Sequence, residues 1–244
     1  MDDLILALET SSEQGSIALG LGRALRAERT LPADRRHAGQ LLPTIRSLLS
    51  EVGAAPTEVA VVAFSRGPGS FTGLRTAATI ARLWQAATGV PVVAAPTLMV
   101  IARNLLALTR PGESIAVLRS SRVGELFGAL YARTEGGIEL VAEAARHEAA
   151  TWIAGLPEGV WAAGDGAAAL AEPLALRGAR FAPAETWTPR AAEVLALAAE
   201  RHAARSYATV ADMVPLYLRP PECEEVYDAR RAAARARRAG TRDG

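Results

Sequence analysis

The sequence predicts an α/β protein built in two halves. Three observations carry that prediction. The apolar runs LILALET (4–10) and GSIALGLG (15–22) flank the polar turn SSEQ and read as a β-hairpin. EVAVVAF (58–64), a helical stretch and VPVVAA (90–95) then follow with short joints, which makes a βαβ unit and a parallel strand pair. After TRPGES (109–114) the order begins again. IAVLR (115–119) and GELFGALYAR (124–133) read as strands, EGGIELVAEAA is a candidate third, and GVWAAGDG (159–166) is a strand running into a glycine-rich turn.

The helices are read from their period. Leu41, Ile45, Leu48 and Val52 recur at helical spacing, with Leu42 and Leu49 widening the stripe and Gly53 ending it. Pro43 requires that this helix start late or bend, because proline lacks the N–H of the helical bond. Ser70 is the expected cap of a helix that runs to Thr88 and is closed by Gly89. TLMVIARNLLAL (97–108) reads as helical. A last helix is expected over 188–204, capped by Thr188 with Pro189 at its first position. The expected division is residues 1–108, residues 109–219 and a charged tail, 220–244, of marginal order.

Composition excludes several classes of chemistry. The 244 residues carry a formal net charge of +1, so no global field favours nucleic acid or an anionic membrane. Every basic side chain apart from histidine is arginine, which removes Schiff bases and the P-loop lysine. One cysteine, Cys223, allows neither an internal disulfide nor a thiolate cluster. No run approaches the ~18 apolar residues of a membrane span, and the opening MDDLILALET lacks the basic flank of a leader, so a cytoplasmic protein is expected.

The stretch SRGPGSFTGLR (65–75) poses the main question. Glycines between a strand and a helix can cradle phosphate, but GPGSFTG lacks the GK[ST] that supplies charge and a magnesium ligand. Its flanks do not form the GxSxG of a serine hydrolase, so Ser70 reads as a helix cap. His37, His147 and His202 have no metal-ligand spacing. The conformational reading is preferred: the glycines permit a sharp turn and let something pack closely. The following helix carries Gly73, Ala77, Ala78 and Ala81 beside Phe71, Leu74, Ile80 and Trp84. Apolar on two sides, it lies either wholly in a core or against a partner, and the residues leave both open.

Several ordered segments narrow the reading. ILALETSSEQGSIAL, H(x)3LLP at 37–43, SRGPGSFTGLRTAATIARLW with GVPVVAAPTLMVIA, RVGELF at 122–127 and PLYLR at 215–219 resemble the TsaB (YeaZ) family of bacterial tRNA threonylcarbamoyladenosine biosynthesis proteins. The resemblance spans residues 4–219. It implies an actin-like ATPase fold made of two RNase H-like subdomains. It also implies a subunit without catalytic residues of its own, which binds the paralogous transferase TsaD and works with the ATPase TsaE. That complex moves a threonylcarbamoyl group to N6 of an adenosine in tRNA, and tRNA is met through the complex. The expected partner contacts are Leu41, Ile45, Leu48, Ser70, Phe71, Gly73, Leu74, Arg75 and Ala77. The resemblance makes Glu9, Thr10, Ser11 and Ser12 a vestigial phosphate hairpin, because nucleotide-using relatives carry aspartate where this chain has Glu9. Ser120 stands where a second aspartate is common. No cofactor of its own is expected. ATP or ADP at the boundary with the partner, and self-pairing without it, are left open.

Two rival readings stand beside this one. A stand-alone actin-fold ATPase or carbamoyl-type transferase rests on fold analogy and the first hairpin. Direct tRNA binding would use six arginines, without an acid among them, over 230–242. Near-neutral charge and the lack of an aromatic stacking platform weigh against the latter.

Overall fold

The structure, a computed structural model, describes residues 3–32, 37–121 and 124–216. The first sheet comprises β1 (Leu4–Glu9), β2 (Ser16–Leu21), β3 (Ala24–Thr30), β4 (Val59–Gly67) and β5 (Val92–Pro96), in the order β3-β2-β1-β4-β5. β1–β2 and β2–β3 are antiparallel, whereas β1–β4 and β4–β5 are parallel. The second sheet comprises β6 (Ser114–Ser120), β7 (Glu125–Thr134), β8 (Gly137–Glu148), β9 (Trp161–Ala163) and β10 (Arg180–Phe181), in the order β10-β9-β6-β7-β8. Its pairing repeats the first, with a three-stranded antiparallel meander joined to two parallel strands. The chain is therefore two copies of one RNase H-like topology, the architecture of the actin-like ATPase fold.

Helices α1 (His37–Glu51), α2 (Phe71–Thr88), α3 (Thr97–Arg103), α4 (Ala149–Ala154), α5 (Asp165–Ala169), α6 (Ala171–Leu176) and α7 (Ala191–Ala203) complete the described chain. Strand alternation assigns them to layers. On β1, Leu4, Leu6 and Leu8 face Leu41, Ile45 and Leu48 of α1 and Ala77 and Ala81 of α2. Ile5 and Ala7 point the other way, onto Val194, Leu195 and Ala198 of α7. The first sheet is thus covered on both faces, which explains why β1 is buried along its whole length. α3 joins the halves: Val100 packs with the α7 layer, and Leu98, Ile101 and Ala102 pack on Ile115, Val117 and Tyr131 of the second sheet.

Three local expectations are corrected. The first hairpin continues into a third strand, β3, because Gly22 at φ 53 turns the chain back after β2. α1 begins at His37 and runs through exposed Pro43, so the late start is excluded. The last helix begins at Ala191 rather than at Pro189. Its amides find distant acceptors: Ala191 N–H donates to Ser16 Oγ at 2.8 Å and Ala192 N–H to Glu28 Oε1 at 3.1 Å. Thr188 instead uses its carbonyl to accept from Asn104 Nδ2 at 2.8 Å. Arg103, with 6% of its side chain exposed, binds α3 to α7 through Glu193 and Glu200, each at 3.1 Å. By contrast, α2 starts and stops as the sequence expects, with Ser70 Oγ accepting from Gly73 N–H and Gly89 left-handed at φ 75.

Candidate functional site

β1 delivers Glu9 to the turn of the first hairpin, where it is completely buried. Its Oε1 accepts from Ser11 N–H at 2.6 Å and from Ser11 Oγ at 2.5 Å, while Oε2 is bonded to Ser65 Oγ of β4. Burial raises the carboxyl pKa; the Ser11 and Ser65 hydrogen bonds and the charge of Arg119 pull it down, and burial wins. Thr10 Oγ1 donates to the Gly73 carbonyl at 2.8 Å. Ser11 O accepts from Ser70 N–H at 2.7 Å, and Ser12 Oγ donates to Gln14 O at 2.8 Å.

The glycine-rich turn lies directly on this hairpin. A Cβ on Gly73 would stand 1.9 Å from Thr10 O, and one on Gly69 would stand 2.3 Å from Ser11 O. These glycines are therefore required by backbone-to-backbone approach.

The second half repeats the device. After β9, a Cβ on Gly164 would lie 2.2 Å from Leu118 O, and one on Gly166 would lie 3.0 Å from the carbonyl carbons of Leu118 and Arg119. Asp165 between them accepts from Arg119 Nε at 3.3 Å and from Ser120 N–H at 3.2 Å. Arg119 also reaches the first half, donating from Nη1 to Ser11 O at 3.3 Å. The sequence shows the GDG turn and the strand ending at Arg119 but not their pairing, which joins residues far apart in the chain.

The nine expected partner contacts fall into two groups. Leu41, Ile45, Leu48, Gly73, Leu74 and Ala77 are buried inside this chain, on the sheet-facing sides of α1 and α2 or against the hairpin. Ser70, Phe71 and Arg75 are exposed, with the Arg75 guanidinium 3.9 Å above the Phe71 ring. The outward face of these helices presents Leu42 (58% exposed), Phe71 (44%) and Leu83 (65%). Together with Thr79 and Ile80 they border one open groove.

Among the described residues, no group of three or more His, Cys, Asp and Glu side chains could hold a metal ion. His147 stacks on Trp152 at 5.2 Å, and His202 joins Asp3 at 2.7 Å and Tyr207 at 2.8 Å. The His37 side chain, Arg122 and Val123 of the RVGELF segment, and the tail with its arginines lie outside the described residues. Among those described, no helix is long and apolar enough to cross a membrane.

The duplicated topology, two mixed five-stranded sheets with their helices, defines a two-lobed protein of the actin-like ATPase fold. Residues 31–237 match the family model described as "TsaD: tRNA N6-adenosine threonylcarbamoyltransferase". The chain is 33% identical over 134 residues to the tRNA threonylcarbamoyladenosine biosynthesis protein TsaB of Escherichia coli (strain K12), covering 55% of this chain and 57% of that one. It is 28% identical over 155 residues to the TsaB of Bacillus subtilis (strain 168), covering 63% of this chain and 66% of that one. It thus spans between half and two thirds of the length of these curated relatives. The solved structure of YeaZ from Pseudomonas aeruginosa superposes with a TM-score of 0.74 at 27% identity, over 88% of this chain and 99% of that one. This chain belongs to the TsaB/YeaZ family, within the reach of the TsaD family model.

Proposed function

We propose that this chain is a non-catalytic partner subunit in the synthesis of N6-threonylcarbamoyladenosine in tRNA. It binds the paralogous transferase TsaD, acts alongside the ATPase TsaE, and enables threonylcarbamoyl transfer without turning over nucleotide itself. The names of its relatives support the process. The internal bonding of the first hairpin supports the non-catalytic role. Both oxygens of Glu9 are already hydrogen-bonded inside the protein, and Gly69 and Gly73 are seated on the backbone at Ser11 and Thr10. A metal at Glu9 would have to compete with these internal partners. Where the assembled complex uses ATP or ADP, its site is the boundary with the partner.

Binding falls to the first half, residues 1–108, through the outward face of α1 and α2. Leu42, Phe71 and Leu83 give that face apolar anchors, and Arg46 and Arg75 give it charge. The buried side chains opposite them hold the helices on the sheet and so fix the shape that a partner meets. The subunit acts by binding one conformation of TsaD better than another, which is the only way a ligand shifts such an equilibrium.

Reconstitution tests the proposal. TsaD, TsaE and the adenylate-forming enzyme are mixed with tRNA, with and without this chain, and threonylcarbamoylation is assayed. Modification should require the chain, which alone should show no ATP turnover. Equal modification without it would overturn the reading.

A further inference from the structure

We propose that Arg119 is an interlobe clasp, a cation supplied by the chain itself that ties the first-half turn at Ser11 to the second-half turn at Asp165. Its guanidinium spans the gap between the halves. Nη1 donates to the Ser11 carbonyl of the first hairpin at 3.3 Å, and Nε donates to Asp165 Oδ1 of the second half at 3.3 Å. The Arg119 side chain is 20% exposed, whereas Asp165, at 53%, lies at the surface, and both bonds are charge-assisted.

Both acceptors are fixed independently of the arginine. Ser11 O is held by the Ser70 amide at 2.7 Å and by the close approach of Gly69. Asp165 is held by the Ser120 amide at 3.2 Å and by glycines seated on Leu118, of which Gly164 has φ +96. The arginine therefore connects two preformed, rigid turns, one in each lobe, and little ordering opposes its bonds. Its charge also acts on Glu9, the fully buried carboxyl of the first hairpin. The clasp rests on these contacts alone, so its test is separate from the test of partner function.

Amide hydrogen exchange on the full chain tests the clasp. Arg119→Met keeps the aliphatic stem and removes the charge and the donors. Asp165→Asn keeps the arginine and weakens its anchor in the second lobe. Exchange at Ser11, Ser70 and Ser120 should quicken about tenfold or more in Arg119→Met, as loss of charged hydrogen bonds implies. Asp165→Asn should shift the same amides in the same direction, and α7 amides should stay at the wild-type rate in both. Small-angle scattering should report a larger radius of gyration for Arg119→Met. Unchanged exchange at those amides in both variants would overturn the clasp. So would equal acceleration throughout the chain, α7 included, which would mark Arg119 as a general stabiliser. If Arg119→Met fails to fold, the exchange pattern of Asp165→Asn distinguishes the clasp from a general stabiliser on its own.

Discussion

Glu9 and Ser65, 56 positions apart, share a hydrogen bond in the interior of the first lobe, and Ser11 completes the same cluster from two positions away. A carboxyl so placed is held by three donors while its charge is penalised by burial. The arrangement ties the turn after β1 to β4, with both oxygens of Glu9 hydrogen-bonded inside the lobe.

Replacing Glu9 separates hydrogen bonding from charge. Glu9→Ala strands Ser11 and Ser65 and should cost about 1–3 kcal/mol. The raised pKa sets the sign of the pH effect. Stability from the neutral carboxyl is full below the ordinary glutamate value of 4.5 and is lost as pH rises through the higher folded value. Glu9→Gln should therefore gain on the wild type as pH rises from below 4.5 to neutrality, in urea unfolding at each pH. A difference independent of pH would contradict the assigned shift.

Two glycines in the same half should respond in opposite directions. Gly73→Ala drives a methyl group into the Thr10 carbonyl, 1.9 Å away, and should cost about 3 kcal/mol or prevent folding. Gly39→Ala in α1 meets nothing within 4 Å and should stabilise by about 0.5–1 kcal/mol through helix propensity. Thermal unfolding of both variants checks the pair; a tolerated Gly73→Ala would mean that the turn is not seated on the hairpin.

The two sides of α1 and α2 should separate stability from binding. Leu48→Ala empties a fully buried site and should destabilise by about 2–5 kcal/mol. Leu83→Glu, on the outward face, should change stability by no more than about 0.5 kcal/mol. Calorimetric titration with TsaD should nevertheless show at least about tenfold weaker binding for Leu83→Glu, the range of an interface anchor. Wild-type affinity in a folded Leu83→Glu would move the interface elsewhere.

Asp212 gives an opposite pH signature. Hydrogen bonds from Thr209 and then Arg66 pull its pKa from 3.8 to about 2. Its contribution is present above 3.8 and disappears as pH falls towards 2. The gap in thermal midpoint between wild type and Asp212→Asn should therefore be open near neutrality and close in acid. A gap that persists at the acid end would remove the Thr209 and Arg66 bonds to the carboxylate as its cause.

The sequence by itself determined the elements whose causes are local. Apolar period separates the strand runs from the α1 and α2 patterns, and Ser70 and Gly89 mark the ends of α2 because a cap and a left-handed glycine act within a few residues. The glycines of GPGSFTG were readable as a request for close approach, but what approaches was not: Thr10 and Ser11 lie far back in the chain, on the first hairpin. The helix at 41–52 shows an apolar stripe, yet only the sheet decided that Leu41, Ile45 and Leu48 turn inward while Leu42 faces out. α7 starts past Thr188, at Ala191, where Ser16 and Glu28, supplied by strands of the other half, accept from its first amides. Arg119 reads as the last basic residue of a strand until folding brings Ser11 and Asp165 to it. Backbone propensity and periodicity are short-range, so they appear in one dimension. Burial, charge pairing and the contact between two turns depend on which surfaces meet, and only the folded chain brings those surfaces together.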